Sequence, residues 1–294
     1  MNATQPRTAR ELVLDAEARF VAAGLVFGHG TDNARDEAVY LVFHALQLPF
    51  DASEEVLDRV VTETERAAAE AIVAERVTTR RPAAYLTGRA WFAGHEFQVD
   101  QRVLVPRSPL AELINARFRP WLEPDRLYRI LEIGTGSGCI AIATAIAARY
   151  AEVDATDISG AALAVATLNL ARYPAVSERV RLLDADLFPP TDDCYDLIIA
   201  NPPYVPSPVV AGLPPEYAYE PCLALDAGPD GLSLVRRILN QAPARLNEGG
   251  ALIVDVGKMA AAIDLEFPSV SFTWIDLEHG GEGVGVAYKS DFHE

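Results

Sequence analysis

The run Ile130-Leu131-Glu132-Ile133 leads directly into Gly134-Thr135-Gly136-Ser137-Gly138, and Cys139-Ile140-Ala141-Ile142-Ala143 follows without a break. A short apolar run, a glycine-rich turn and an Ala-rich segment describe strand, turn and helix, the opening unit of a doubly wound α/β domain. At such a turn the backbone can approach a ligand closely, and the helix N-terminus favours polar or anionic groups. The spacing departs from the dinucleotide pattern, because Cys139 stands where the last glycine of Gly-x-Gly-x-x-Gly belongs. A pyrophosphate cradle is therefore the weaker reading. From residue 127 onward strands and helices alternate, which implies a parallel sheet.

Strand ends are where such a sheet holds its ligand, so the acids there matter most. A second strand, over residues 151–155, ends at Asp157-Ile158-Ser159. Asp157 can accept both hydroxyls of a ribose, whereas Asp154 lies inside the strand pattern and reads as structural. A third strand over 182–188 leaves Asp186 at its end, in position for the exocyclic amine of an adenine. The apolar run Leu197-Ile198-Ile199-Ala200 stops abruptly at Asn201-Pro202-Pro203-Tyr204. Two prolines remove two backbone donors and bias Asn201 toward an extended conformation. A plain strand-ending turn would account for the prolines alone. The motif also sets carbonyls, an Asn amide and a Tyr ring at one spot, a combination suited to a planar NH2 group. Residues 251–256 form a fifth strand, and 272–277 and 284–289 complete the sheet around a glycine-rich turn.

The first 80 residues differ in character. Leu12, Ala16, Phe20 and Ala23 share one helical face, and Ala38, Leu41, Val42, Ala45 and Leu46 another. Thr62-Glu63-Thr64-Glu65 is a capping box opening an Ala-rich helix, and Thr87-Gly88 closes the bundle. Residues 91–105, broken at Ala93-Gly94-His95, suggest a β-hairpin, and Ser108-Pro109 starts a new helix with Pro109 at its first position. The expected organisation is a helical domain over 1–88, a hairpin linker over 89–107 and the α/β domain over 108–294.

Composition narrows the function classes. Three cysteines, at 139, 194 and 222, form no Cys-x-x-Cys pair, and five histidines lie scattered, with His29 and His95 in glycine turns as packing residues. That argues against structural zinc and for a reducing, cytoplasmic setting. The uncharged, glycine-interrupted run over residues 133–148 is too short to span a membrane, for which roughly 18 residues are required. No N-terminal signal pattern is visible. Twenty-five basic against 42 acidic residues give −17, which opposes a broad grip on nucleic acid and suits a basic protein partner, although an acidic surface also simply promotes solubility.

Together, these motifs resemble the class I S-adenosylmethionine-dependent methyltransferases, and among them the protein glutamine-N5 methyltransferases. The resemblance covers nearly the whole chain and includes residues 81–88, Trp91-Phe92-Ala93-Gly94-His95-Glu96-Phe97 and Val103-Leu104-Val105-Pro106-Arg107. Relatives that act on release factors carry Pro-Arg-Pro-(Asp or Glu)-Thr where this chain has Pro106-Arg107-Ser108-Pro109. Residues 28–33, Ala90-Trp91-Phe92, Arg107-Ser108-Pro109 and the stretch from Pro221 to Leu232 look instead like the branch acting on the third protein of the large ribosomal subunit. The resemblance implies that S-adenosylmethionine is held by Glu132, Gly134, Thr135, Gly136, Ser137, Gly138, Asp157, Ile158, Asp186, Leu187 and Asn201. It likewise implies that Asn201, Pro202, Pro203, Tyr204 and Arg107 meet the substrate, with Asn201, Pro202 and Tyr204 catalytic. Asp255-Val256-Gly257-Lys258 departs from the Glu-Val-Gly-Asn common in relatives and leaves that part of the pocket open. The rivals are release-factor methylation, adenine-amine methylation of nucleic acid, for which Arg80-Arg81 and Arg236-Arg237 are the only basic runs, a non-catalytic ribosome-assembly factor, and a nicotinamide oxidoreductase.

Overall fold

Residues 7–49, 52–278 and 280–293 are described by the computed structural model of the chain. They form two compact units. The first takes the chain up to Arg89 together with Pro214–Tyr219, and the second takes Ala90–Leu213 with everything from Glu220. This grouping differs from the expected boundaries in two respects. The hairpin joins the sheet unit, because Phe92 and Phe97 are buried in the same core cluster as Leu110 and Ile140. The short segment Pro214–Tyr219, far along the chain, joins the helices.

The helical unit consists of α1 (Ala9–Ala22), α2 (Ala34–Ala45), α3 (Glu63–Thr79) and α4 (Ala83–Thr87). Thr8 and Glu11 cap α1 reciprocally, Asn33 caps α2, and the Thr62–Glu65 box starts α3 as its sequence requires. Gly88, left-handed at φ 70°, ends α4. Leu12, Ala16 and Phe20 bury with Ala38, Leu41 and Val42. Two buried ionic groups complete the unit. Arg76 donates to Glu37 at 2.7 Å, and Glu216 accepts from the Val26 amide at 3.0 Å while pairing with Arg80 at 2.6 Å. The Tyr217 ring lies 4.3 Å from His29 and Tyr219 donates to the Thr79 carbonyl, so His29 is a packing residue.

In the second unit, β1 (Arg89–Phe92) and β2 (His95–Gln98) make the hairpin, shorter than the 91–105 expected. Residues 99–108 follow without helix or strand, and α5 (Leu110–Asn115) starts one residue after Pro109, its first amide bonded to the Ser108 hydroxyl at 3.2 Å. The sheet is built from β3 (Arg129–Ile133), α6 (Cys139–Ala147), β4 (Glu152–Asp157), α7 (Gly160–Ala171), β5 (Val180–Asp184), β6 (Tyr195–Ala200), α8 (Ser207–Val210), α9 (Ser233–Arg245), β7 (Leu246–Asp255), α10 (Ala260–Glu266), β8 (Thr273–Trp274) and β9 (Val284–Tyr288). Its order is β5-β4-β3-β6-β7-β9-β8, parallel through the first five strands, with β9 antiparallel to β7. Alternate residues feed the two faces: Ile130, Leu197 and Ile253 bury with α6, and Leu131, Ile198 and Leu252 with α9. Asp154 sits in the sheet as a structural anchor, bonded by Arg181 at 2.6 Å and by Tyr195 at 3.0 Å.

Two expected strands are shorter than their sequence pattern. β5 stops at Asp184 instead of 188, because Leu187 is left-handed at φ 70° and the chain turns there. β8 keeps two residues of 272–277, and His279, in the stretch expected as a glycine-rich turn, lies outside the described residues.

Candidate functional site

The strand order reverses its winding between β3 and β6, where Ile133 pairs with Ala200. Ligands of open α/β sheets bind at that switch point, beyond the carboxyl ends of the strands. Here the register ends both strands level, so the turn starting at Gly134 and the motif starting at Asn201 leave the sheet as immediate neighbours. A cavity of about 310 Å³ opens there. Its wall includes Glu132, Gly134, Thr135, Gly136, Ser137, Asp157, Ile158, Asp186, Leu187, Asn201, Pro202, Pro203 and Arg107, thirteen of the residues singled out in the sequence.

Gly138 and Tyr204 are not among the residues that line the cavity, and each has a packing role beside it. A Cβ on Gly138 would fall 3.2 Å from the Ala166 Cβ, so this glycine lets α6 pack on α7. Tyr204 is wedged between glycines of two loops. A Cβ on Gly257 would fall 2.8 Å from the Tyr204 ring, and one on Gly231 2.7 Å from the Tyr204 carbonyl oxygen. Both glycines hold positive φ, +50° and +80°. The departure at residues 255–258 thus preserves the one glycine that the tyrosine needs.

Burial sets the electrostatics of the cavity. Glu132 is fully buried, and desolvation pushes its carboxyl up to about 7 against the hydrogen bond that Thr135 donates at 2.5 Å. The Ala141 amide also opposes the rise, and Oε1 makes no hydrogen bond of good geometry among the described residues. Such an orphaned carboxylate oxygen in a cavity wall is suited to a cationic ligand group. Asp157 accepts from the Gly136 and Ser159 amides, each at 2.8 Å, which ties the end of β4 to the glycine turn. Burial raises its pKa and those two donors oppose the rise. Asp186 lies in the turn beyond β5 and pairs with Arg237 at 2.7 Å. Burial also pushes the Cys139 thiol up to about 12, so it lines the cavity as an unreactive thiol.

Arg107 lines the cavity with its guanidinium already committed. It donates to Glu220 at 2.5 and 2.8 Å, and Glu220 also accepts from the Val105 amide at 3.1 Å. Ser108 donates to the buried Asp255 at 2.7 Å, and the Gly257 amide donates to the same carboxylate. Residues 105–108 are thereby fastened to the loops after β6 and β7. On the opposite side Asn169 donates to the Ser137 carbonyl at 2.8 Å and bonds the Gln98 backbone in both directions, holding the turn to β2. Glu220 and Asn169 escape a sequence reading, as do the roles of Asp255 and Arg237, since each acts through a partner distant in the chain. Among the described residues no group of three or more His, Cys, Asp or Glu converges to hold a metal, and no helix is long and apolar enough to cross a membrane.

Comparison with known proteins supplies the family. Residues 119–210 match the methyltransferase small domain family. The chain is 44% identical over 285 residues to the ribosomal protein uL3 glutamine methyltransferase of Bordetella pertussis, covering 96% of this chain and 95% of that one. Proteins of the same name from Burkholderia pseudomallei and Neisseria gonorrhoeae are 44% and 45% identical, over 97% and 94% of this chain and 95% and 92% of theirs. Among solved structures, the catalytic domain of hMettl16 in complex with the MAT2A 3'UTR hairpin 6 superposes with a TM-score of 0.52 at 18% identity. It covers 79% of this chain and 84% of its own, a likeness of fold.

Proposed function

The chain belongs to the ribosomal protein uL3 glutamine methyltransferase family, and from that premise we propose that it methylates the side-chain amide nitrogen of a glutamine in ribosomal protein uL3, with S-adenosylmethionine as donor. The observation that carries this reading is one cavity walled both by the glycine turn with its strand-end acids and by Asn201, Pro202 and Pro203. The residues fit the donor. The orphaned, buried Oε1 of Glu132 suits an ammonium, Asp157 a ribose and Asp186 an adenine amine. When bound, S-adenosylmethionine supplies a methyl group activated by a sulfonium.

The remaining problem is the acceptor. An amide nitrogen is a poor nucleophile because its lone pair is delocalised into the carbonyl. Asn201 accepts one amide hydrogen through its side-chain oxygen, and the Pro202 carbonyl accepts the other. Fixing both N–H bonds aims what remains of the lone pair, and such positioning can contribute several kcal/mol, of order 7 or more in the best cases. Both hydrogen bonds strengthen as the nitrogen gains positive charge, so they favour the transition state. Tyr204, wedged against Gly257, packs on the amide plane. The alkylated nitrogen is acidic and loses its proton to water, so no strong general base is needed. Arg107, committed to Glu220, acts by shaping the cavity wall.

A net charge of −17 favours encounter with a basic, unassembled ribosomal protein. Three free cysteines and a ribosomal-protein substrate both suit a cytoplasmic enzyme. The test offers purified uL3 and a release factor in competition for labelled donor, with the modified residue located by mass spectrometry. We expect uL3 to be labelled faster, at a rate that falls with added salt. Faster labelling of the release factor would overturn the substrate and leave the chemistry standing; labelling of neither would overturn both.

A further inference from the structure

Arg236 and Arg237 are adjacent on α9 but pair with different groups. Arg236 pairs with Asp230 and Glu266, away from the cavity. Arg237 lines the cavity and donates to Asp186 Oδ2 at 2.7 Å. The two partners of this second pair are differently restrained. The backbone around Asp186 is pinned by the Thr156 hydroxyl, which donates to the Leu187 carbonyl at 2.6 Å, and by the Ala185 amide, which donates to the Asp157 carbonyl. The Asp186 side chain, about half exposed, has Arg237 as its charged partner. Arg237 stands on a helix anchored by the buried Val235, Ile238 and Leu239.

We propose that Arg237 is a specificity-determining residue for the base of the donor. It holds one oxygen of Asp186 and orients the other, so that the carboxylate presents an acceptor in one fixed direction. A 6-amino group donates to that oxygen. A 6-oxo group would set its own acceptor against it and leave the carboxylate unmatched, which is the kind of mismatch that gives strong discrimination. Without Arg237 the carboxylate rotates into solvent, and both the gain from the amine and the penalty for the oxo group shrink. This inference rests on the proposed donor and deepens it.

The experiment measures calorimetric affinity for S-adenosylhomocysteine and S-inosylhomocysteine with the full chain, its Arg237→Gln and its Arg237→Lys. The unaltered protein should prefer the adenosyl compound by at least about tenfold, the value of one charge-assisted hydrogen bond. Arg237→Gln should lower that ratio to about threefold or less, chiefly by weakening the adenosyl compound, and Arg237→Lys should recover part of it because a cation remains. An unchanged ratio in Arg237→Gln would overturn the inference and leave the proposed function intact. Failure of the unaltered protein to bind S-adenosylhomocysteine would overturn the donor reading itself, and this inference with it.

Discussion

Replacing Glu132 by Gln should make the protein more stable and less able to hold its donor. Burial raises the Glu132 carboxyl from 4.5 to about 7, with the Thr135 hydroxyl only partly offsetting the lost hydration. A folded-state pKa above the unfolded one means that the group's contribution to stability is complete below about pH 4.5 and is lost as pH rises through 7. At 1.36 kcal/mol per unit, the loss at pH 8 is about 3 kcal/mol. Glutamine stands in for the protonated acid, since its carbonyl still accepts from Thr135. The variant should therefore exceed the parent by up to about 3 kcal/mol at pH 8 and match it below pH 4.5. The chain's three tryptophans, at 91, 121 and 274, all lie in the sheet unit, so their fluorescence in urea reports the unfolding of that unit alone. Affinity for S-adenosylhomocysteine should move the other way and fall at least about tenfold, because Oε1 no longer offers a charge to the ligand's ammonium. Binding near pH 7 should also release part of a proton in the parent and none in the variant, visible as a buffer-dependent heat. A variant less stable than the parent at pH 8, or one with undiminished affinity, would refute the assignment of Glu132 as a buried charge kept for a cationic ligand.

Two further outcomes follow from the amide-holding part of the cavity. Asn201→Ala should keep its fold and most of its donor affinity while turnover falls about a hundredfold, the loss expected for one transition-state hydrogen-bond partner; single-turnover labelling of uL3 measures it. Gly257→Ala should lower turnover with little change in donor affinity, because its new methyl would meet the Tyr204 ring at 2.8 Å and its φ of +50° strains any side chain. Steady-state kinetics beside calorimetry separate those two effects.

The parts of the site that were legible in the sequence are those built from consecutive residues. Apolar strand, glycine turn and helix at residues 130–143 obey local rules, and so does the strand stopped by prolines at 202 and 203. Once β3 and β6 are known to be neighbours, their ends converge without further information. Strand length was less legible. The pattern 182–188 returns to apolar residues at Leu187 and Phe188, yet pairing ends at Asp184, because the Leu187 carbonyl is taken by the Thr156 hydroxyl of the adjacent strand and the chain bends to meet it. Gly138 answers a further demand of this kind: beside its place in the glycine turn, it is needed by Ala166 on a helix that the local sequence does not mention.

What escaped the sequence entirely is the framework that makes the cavity a fixed shape. The Arg107–Glu220 pair joins residues 113 apart, and the Ser108–Asp255 bond joins residues 147 apart. Each carboxylate is buried, and a buried carboxylate without its donor costs several times what the bond itself contributes, of order 3 kcal/mol or more. Residues 105–108 have no helix or strand of their own to fix them. Their position depends on those two acids, one in the loop after Asn201-Pro202-Pro203-Tyr204 and one at the end of β7. The same β7 loop supplies Gly257, against which Tyr204 packs. The wall of the cavity and the orientation of its tyrosine therefore have a common support, and loosening Asp255 should disturb both while leaving the glycine turn, held separately by Asp157 and Asn169, in place.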